Sequence, residues 1–259
     1  MFGRFTSCAE GQTHGRRIEQ ALDQYQQAMQ SENSRFSAQL VKVQQWQADR
    51  LISEYQHIFD DKVLGRTARF MLEEVYSGAL LHQISEEIRL TARKAWRLLP
   101  ANIMLAAAQA VEATALTLNI DATLARATLP VRLVQGNDIR VVTPLQSTEY
   151  VHALRATRAI ELRREQLQVF AQLAKSIDFY VSKSSLHVGL KMTTGLAERA
   201  GVANLHHFLL RACSLIKVSG ALSPLIAQIS QLELTLLDQV EKGLNPWSWM
   251  DQSLKSVNF

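Results

Sequence analysis

Apolar residues recur at spacings of three and four along most of the chain, the periodicity of helices that bury one face. From His14 onward, Ile18, Leu22, Tyr25 and Met29 form one such stripe. After Ser31-Glu32-Asn33-Ser34 the stripe resumes through Phe36, Leu40, Val43, Trp46 or Gln47, Arg50 or Leu51, Tyr55 and Ile58. The two stripes predict one very long helix or two in series, ended by Asp60-Asp61-Lys62 and Gly65. Helices follow at about 66–77, 85–98 and 101–118, with Ser85 read as an N-cap and Asp121 as the cap of a short helix. A long regular helix is predicted from 147 to about 183, then helices at 184–199, ended by Gly201, and 204–218, ended by Gly220. The last opens at Ser223-Pro224, a helix start signal, and stops at Gly243. Residues 131–146, Val-rich around Gly136-Asn137-Asp138, form the one β-like stretch, and a small hairpin or a long loop would both fit.

This pattern predicts an all-α protein: a single compact multi-helix bundle with a long N-terminal helix or helical hairpin. The expected organisation is a flexible tail at 1–13, a helical domain at 14–245 and a C-terminal tail at 246–259. Within the domain, 14–62 is the long N-terminal element and 63–245 the bundle core. Unbroken, residues 14–59 would make about 69 Å of helix, which overhangs a bundle of this size. Either the helix folds back at 31–34 or, as favoured here, the apolar stripe Ile18, Leu22, Tyr25 and Met29 meets a protein partner or a second copy of the chain. The tail carries Trp247 and Trp249, which could dock on the bundle.

Composition narrows the picture. The chain has 259 residues, 47% hydrophobic and 20% charged, which places it among globular proteins. A net charge of +4 is mild. The densest basic cluster, Arg155, Arg158, Arg163 and Arg164, is interrupted by Glu161 and Glu165. Mixed signs at these spacings read as a helix surface laced with ion pairs, so nucleic acid is not the expected partner. Cys8 and Cys213 have no disulfide or metal-knuckle spacing. The N-terminus lacks the apolar core of a signal peptide, and the longest apolar run, 103–108, is too short to span a bilayer. No transmembrane segment is expected, and the expected location is cytoplasmic.

Candidate chemistry lies where charges are written into apolar helix faces. Buried charge is costly unless paired, so such residues mark a core ion-pair network or a site. The candidates are Trp46, Arg50, Arg69, Glu73, Glu74, Tyr76 and Arg164. Glu73 and Glu74 are adjacent and point about 100° apart on a helix. One of them is expected to be buried beside Leu72 and paired with Arg50 or Arg69. No Glu-x-x-His repeat accompanies them and no Cys/His cluster exists, so neither a metal nor any other cofactor is expected. Nucleophile elbows and phosphate loops are absent as well.

Two segments, VQQWQADRLISEY and RTARFMLEEVYSG, resemble a bacterial all-helical family classed as a domain of unknown function. That family pairs a W-Q-x-x-R-L helix with an F-F-L-E-E-x-Y-G segment. The matching positions here are Trp46, Gln47, Arg50, Leu51, Phe70, Leu72, Glu73, Glu74 and Tyr76. The family usually continues Y-G-P-K-D-F, where this chain reads Tyr76-Ser77-Gly78-Ala79-Leu80-Leu81. The resemblance implies a helical fold and no particular activity. The reading favoured by the sequence is a non-enzymatic cytoplasmic interaction or accessory protein. Two alternatives stay open: a binder of an apolar, fatty-acyl or lipid-like ligand between helices, and an enzyme using Glu73 or Glu74 with Arg50.

Overall fold

Alanine-rich α6 (Ala101–Ala127) is the axis of the fold. Its small buried side chains, among them Ala108, Ala113 and Ala122, let neighbouring helices approach closely. The computed structural model describes residues 2–30, 34–76, 79–95, 101–129, 144–181 and 184–253. Among these no strand occurs, and the chain forms one all-α multi-helix bundle. Before α6 come α1 (Phe2–Gln30), α2 (Ser34–Glu54), α3 (Gln56–Phe59), α4 (Leu64–Phe70), a π-helical turn (Met71–Tyr76) and α5 (Ala79–Ala95). After it come α7 (Ser147–Ala156), α8 (Ala159–Val181), α9 (Ser184–Met192) and α10 (Thr194–Arg199). The chain then continues through α11 (Ala203–Ser219), α12 (Ser223–Glu241) and α13 (Ser248–Ser253). Helices α1, α2, α5, α7 and α8 all pack on α6, and α12 packs on α8.

The N-terminal element is two helices, and residues 31–33 between them lie outside the described ones. The first starts at Phe2, so residues expected to be a tail continue the helix. Three of the four residues of its apolar stripe are covered within the chain. Ile18, Leu22 and Tyr25 are buried against Leu81 of α5 and Met104, Val111 and Leu118 of α6. Two ion pairs hold the same face, Arg17 with Glu112 at 2.6 Å and Arg93 with Glu19 at 2.8 Å. The overhang expected of a single long helix is thus removed by division into two helices that share one axis helix.

Helix α6 also corrects the expectation drawn from the short run 103–108. Residues Ile103–Ala127 are long and apolar enough to cross a bilayer by length and composition. The pair α11 and α12, bent by 88°, passes the same test only when taken together. Gln109, Glu112, Asn119 and Asp121 interrupt the apolar run without ending the helix. Half of the most apolar window of α6 is buried inside the protein, and its Glu112 and Asp121 are ion-paired within the chain. That is how the axis helix of a bundle is built.

Other boundaries differ for local reasons. Helix α5 begins at Ala79, so Ser85 sits inside it rather than capping it. The long helix predicted from Ser147 breaks where Thr157 turns extended, at φ −123° and ψ 178°. The segment that follows Ala200 is closed by Gly220 and Gly243, both at positive φ, as the stop signals imply. The amides of Leu222 and Ser223, which open α12, donate to the Asp178 carboxylate of α8 at 2.6 and 2.8 Å. A neighbouring helix therefore supplies the cap. The β-like stretch falls mostly on residues 130–143, outside the described residues. Trp247 and Met250 of the expected C-terminal tail are part of the core, Trp247 being 2% exposed, whereas Trp249 is exposed.

Candidate functional site

A partly open pocket of about 180 Å³ lies between α2, α3, α4, α8 and α12. Its walls are apolar: Leu51 and Ile58 on one side, Met71 and Leu72 on a second, Phe170 and Ile229 on a third. Several of these side chains are only half buried, because they face the void instead of one another. Gly65 permits this arrangement. A Cβ at that position would come within 2.4 Å of the Phe59 carbonyl oxygen, so only glycine lets α4 close against α3. The π-helical turn sits at the pocket edge. Such turns shift the helix register and recur at functional sites. Here the turn buries Val75 and brings Tyr76 to the pocket lining.

The floor is polar and holds two buried guanidinium groups. Arg50, 4% exposed, donates to Glu233 of α12 and, at 3.0 Å, to Gln47. Gln47 in turn donates to the Tyr150 hydroxyl. The Tyr55 hydroxyl donates to the same Glu233 oxygen at 2.6 Å. Arg163, 7% exposed, donates to Asp121 at 2.7 Å, to Gln166 at 3.0 Å and to the Tyr76 hydroxyl at 3.1 Å. Burial disfavours the charge on Arg50, and Glu233 more than offsets it, so its pKa moves up. Burial acts likewise on Arg163, where Tyr76, Tyr150 and Asp121 outweigh it. Asp121 is fully enclosed, and burial pushes its carboxyl up against the opposing pull of Arg163. One Asp121 oxygen and the Nε–H groups of both arginines have no partner.

An aromatic wedge closes the floor from behind. Trp46 stacks on Tyr150 with ring centroids 4.0 Å apart and 24° between planes. Trp247 meets both edge-on at 5.8 Å, and the Arg50 guanidinium lies 5.3 Å from its ring centre. The Ser147 hydroxyl and amide donate to Asp251 of α13 at 2.6 and 2.7 Å, which fixes the wedge.

The sequence candidates are divided by this geometry. Arg50 and Tyr76 line the pocket, and Trp46 supports it from behind. Glu73 and Glu74 do not enter it. Glu73 is exposed, and Glu74, partly exposed, pairs with Arg211 of α11 at 2.9 Å. The expected burial of one glutamate is corrected here, because the π-helical turn gives the inward direction to Val75. Arg69 donates to the Phe59 carbonyl at 3.0 Å and braces α4 on α3. Arg164 faces outward and pairs with Asp238 and Glu241. The carboxylates that pair with the two buried arginines are instead Asp121, which is fully buried, and Glu233, whose side chain is 12% exposed. The sequence pattern places Asp121 at a helix cap and Arg163 in a surface cluster, whereas both are buried in the bundle. A signal existed: Leu118, Ile120, Ala122 and Leu124 surround Asp121 with apolar residues that suit a helix interior better than its start. Among the described residues no group of three or more His, Cys, Asp or Glu side chains could hold a metal.

A family model described as Domain of unknown function (DUF8198) matches residues 26–246. The chain belongs to this family. No curated protein and no solved structure matches it. The DUF8198 match includes every polar floor residue from Gln47 to Glu233, whereas Trp247 stands just beyond it.

The tyrosines give a pH prediction. Burial raises the pKa of Tyr55, Tyr76 and Tyr150 from the ordinary value of 10.0. Above pH 10 the unfolded chain therefore releases protons that the folded chain still holds, and stability falls as pH rises. An absorbance titration at 295 nm should show these phenols ionising near pH 10 only in denaturant. Full ionisation near pH 10 in the native protein would contradict the described burial.

Proposed function

We propose that this protein binds a small apolar ligand in the pocket between α2, α4, α8 and α12. The reading rests on one observation: a preformed apolar cavity that ends on a buried, converging set of polar groups. A pocket of that kind is the ordinary form of a small-molecule site. At about 180 Å³ it is smaller than the roughly 300–1,000 Å³ of drug-sized sites and slightly larger than cavities of about 150 Å³ that hold benzene. It fits a medium-length hydrocarbon chain, or one segment of a longer chain that leaves through the open side. The enzyme alternative has less support, because Glu74 and Arg164 lie on other faces and the pocket phenols stay protonated at neutral pH. An accessory role through binding, rather than chemistry, accords with that geometry.

The test is calorimetric titration of the full chain with octyl compounds, beside Ile229→Trp, which fills the pocket. Wild type should bind at least one of them with a matching rise in melting temperature, since a ligand selective for the native state stabilises it. Ile229→Trp should stay folded by circular dichroism and lose about tenfold or more in affinity, roughly 1.4 kcal/mol. Equal binding by both proteins, or no binding by wild type, would remove the reading.

A further inference from the structure

We infer that the polar end of the ligand is an uncharged hydrogen-bond acceptor, such as an ester, ketone or amide carbonyl, rather than a carboxylate or phosphate. The inference rests on the pocket being a ligand site and adds what its floor selects. Two observations carry it.

The first is the kind of group left unsatisfied. Arg50 and Arg163 both line the pocket, both are more than nine-tenths buried, and each leaves its Nε–H without a partner. The Ser230 hydroxyl, also in the lining, is buried and unpartnered. The Tyr76 and Tyr150 hydroxyls accept from Arg163 and Gln47, which leaves their own protons able to donate. Buried donors without acceptors are costly, and a ligand oxygen would relieve that cost. The unpartnered oxygens of Asp121 and Glu54 are not part of the lining, so the buried unpartnered groups that a ligand head meets are N–H and O–H groups.

The second is the charge count. Each guanidinium already has its own carboxylate, Arg50 with Glu233 and Arg163 with Asp121. Two cations and two anions leave the floor formally neutral. A ligand carboxylate would bring a third anion into a desolvated site with no cation to receive it. A carbonyl oxygen accepts the same hydrogen bonds without that penalty.

The experiment compares matched octyl ligands on the full-length protein at pH 7 by calorimetry: methyl octanoate, 2-octanone, octanoate and octylamine. The neutral carbonyl compounds should bind about tenfold or more tightly than octanoate and octylamine. Glu233→Gln keeps an acceptor for Arg50 and removes one negative charge, so it should raise octanoate affinity relative to methyl octanoate by about tenfold. If wild type binds octanoate as well as methyl octanoate, the inference falls while the pocket reading stands. If the neutral preference is present but unchanged in Glu233→Gln, shape and not charge sets it, and the inference falls again. If none of the four binds wild type, the pocket reading itself is lost.

Discussion

Asp121→Ala should destabilise the protein by about 3–5 kcal/mol, because it strands the buried Arg163 without its carboxylate. The Asp121 side chain is 0% exposed and that of Arg163 8%, so water cannot take over the lost role. The remaining partners of Arg163, Gln166 and the Tyr76 hydroxyl, are neutral and cannot balance its charge. The effect should therefore exceed that of breaking Arg164 from Asp238 and Glu241, which stand on the surface. Chemical denaturation of the single variant is one measurement, and the double variant Asp121→Leu with Arg163→Met is the other. The double variant should recover much of the loss, since removing both charges leaves nothing stranded. A single variant as stable as wild type would mean that the pair is not buried as described. A double variant that also loses ligand binding would tie Arg163 to the pocket independently of its part in stability.

Most of the helical architecture was legible in the sequence, for physical reasons that can be named. The three-to-four spacing of Ile18, Leu22 and Tyr25 marks a buried helix face whatever covers it. It does not say whether the cover is α6 of the same chain or another molecule, because both bury the same apolar area. Stop signals at Gly220 and Gly243 were readable because positive φ is cheap only for glycine. The site was half legible. Arg50 stood out as a charge on an apolar stripe, and Tyr76 came with the resemblance. Glu233 and Asp121 did not stand out, because a carboxylate on a helix is ordinary until its partner is known. Their partners lie 183 and 42 residues away in sequence. The pocket had no sequence signature. A void arises from how five elements fail to meet, and each wall residue alone reads as ordinary core.

Trp247→Ala should cost about 3–5 kcal/mol, although the residue lies in what sequence periodicity marks as a tail. Three features make the loss large. Trp247 is 2% exposed, so truncation opens a cavity in the main hydrophobic cluster rather than a dent on the surface. It meets Trp46 and Tyr150 edge-on at 5.8 Å, contacts worth about 0.5–1.5 kcal/mol each beyond area burial. It also carries the Arg50 guanidinium against its ring, a cation–π contact in a desolvated place. Trp247→Phe should retain much of the stability, since the ring edge contacts survive in part and less volume is lost. Because Trp247 also lines the pocket, the alanine variant should join the new cavity to it. Wild type and variant should then differ in ligand length: the variant would favour chains longer than octyl by calorimetry, and wild type would not. Unfolding curves that superimpose for wild type and Trp247→Ala would show that the wedge contributes no stability. The C-terminal segment would then be a true tail, and the floor of the pocket would be closed by Trp46 and Tyr150 alone.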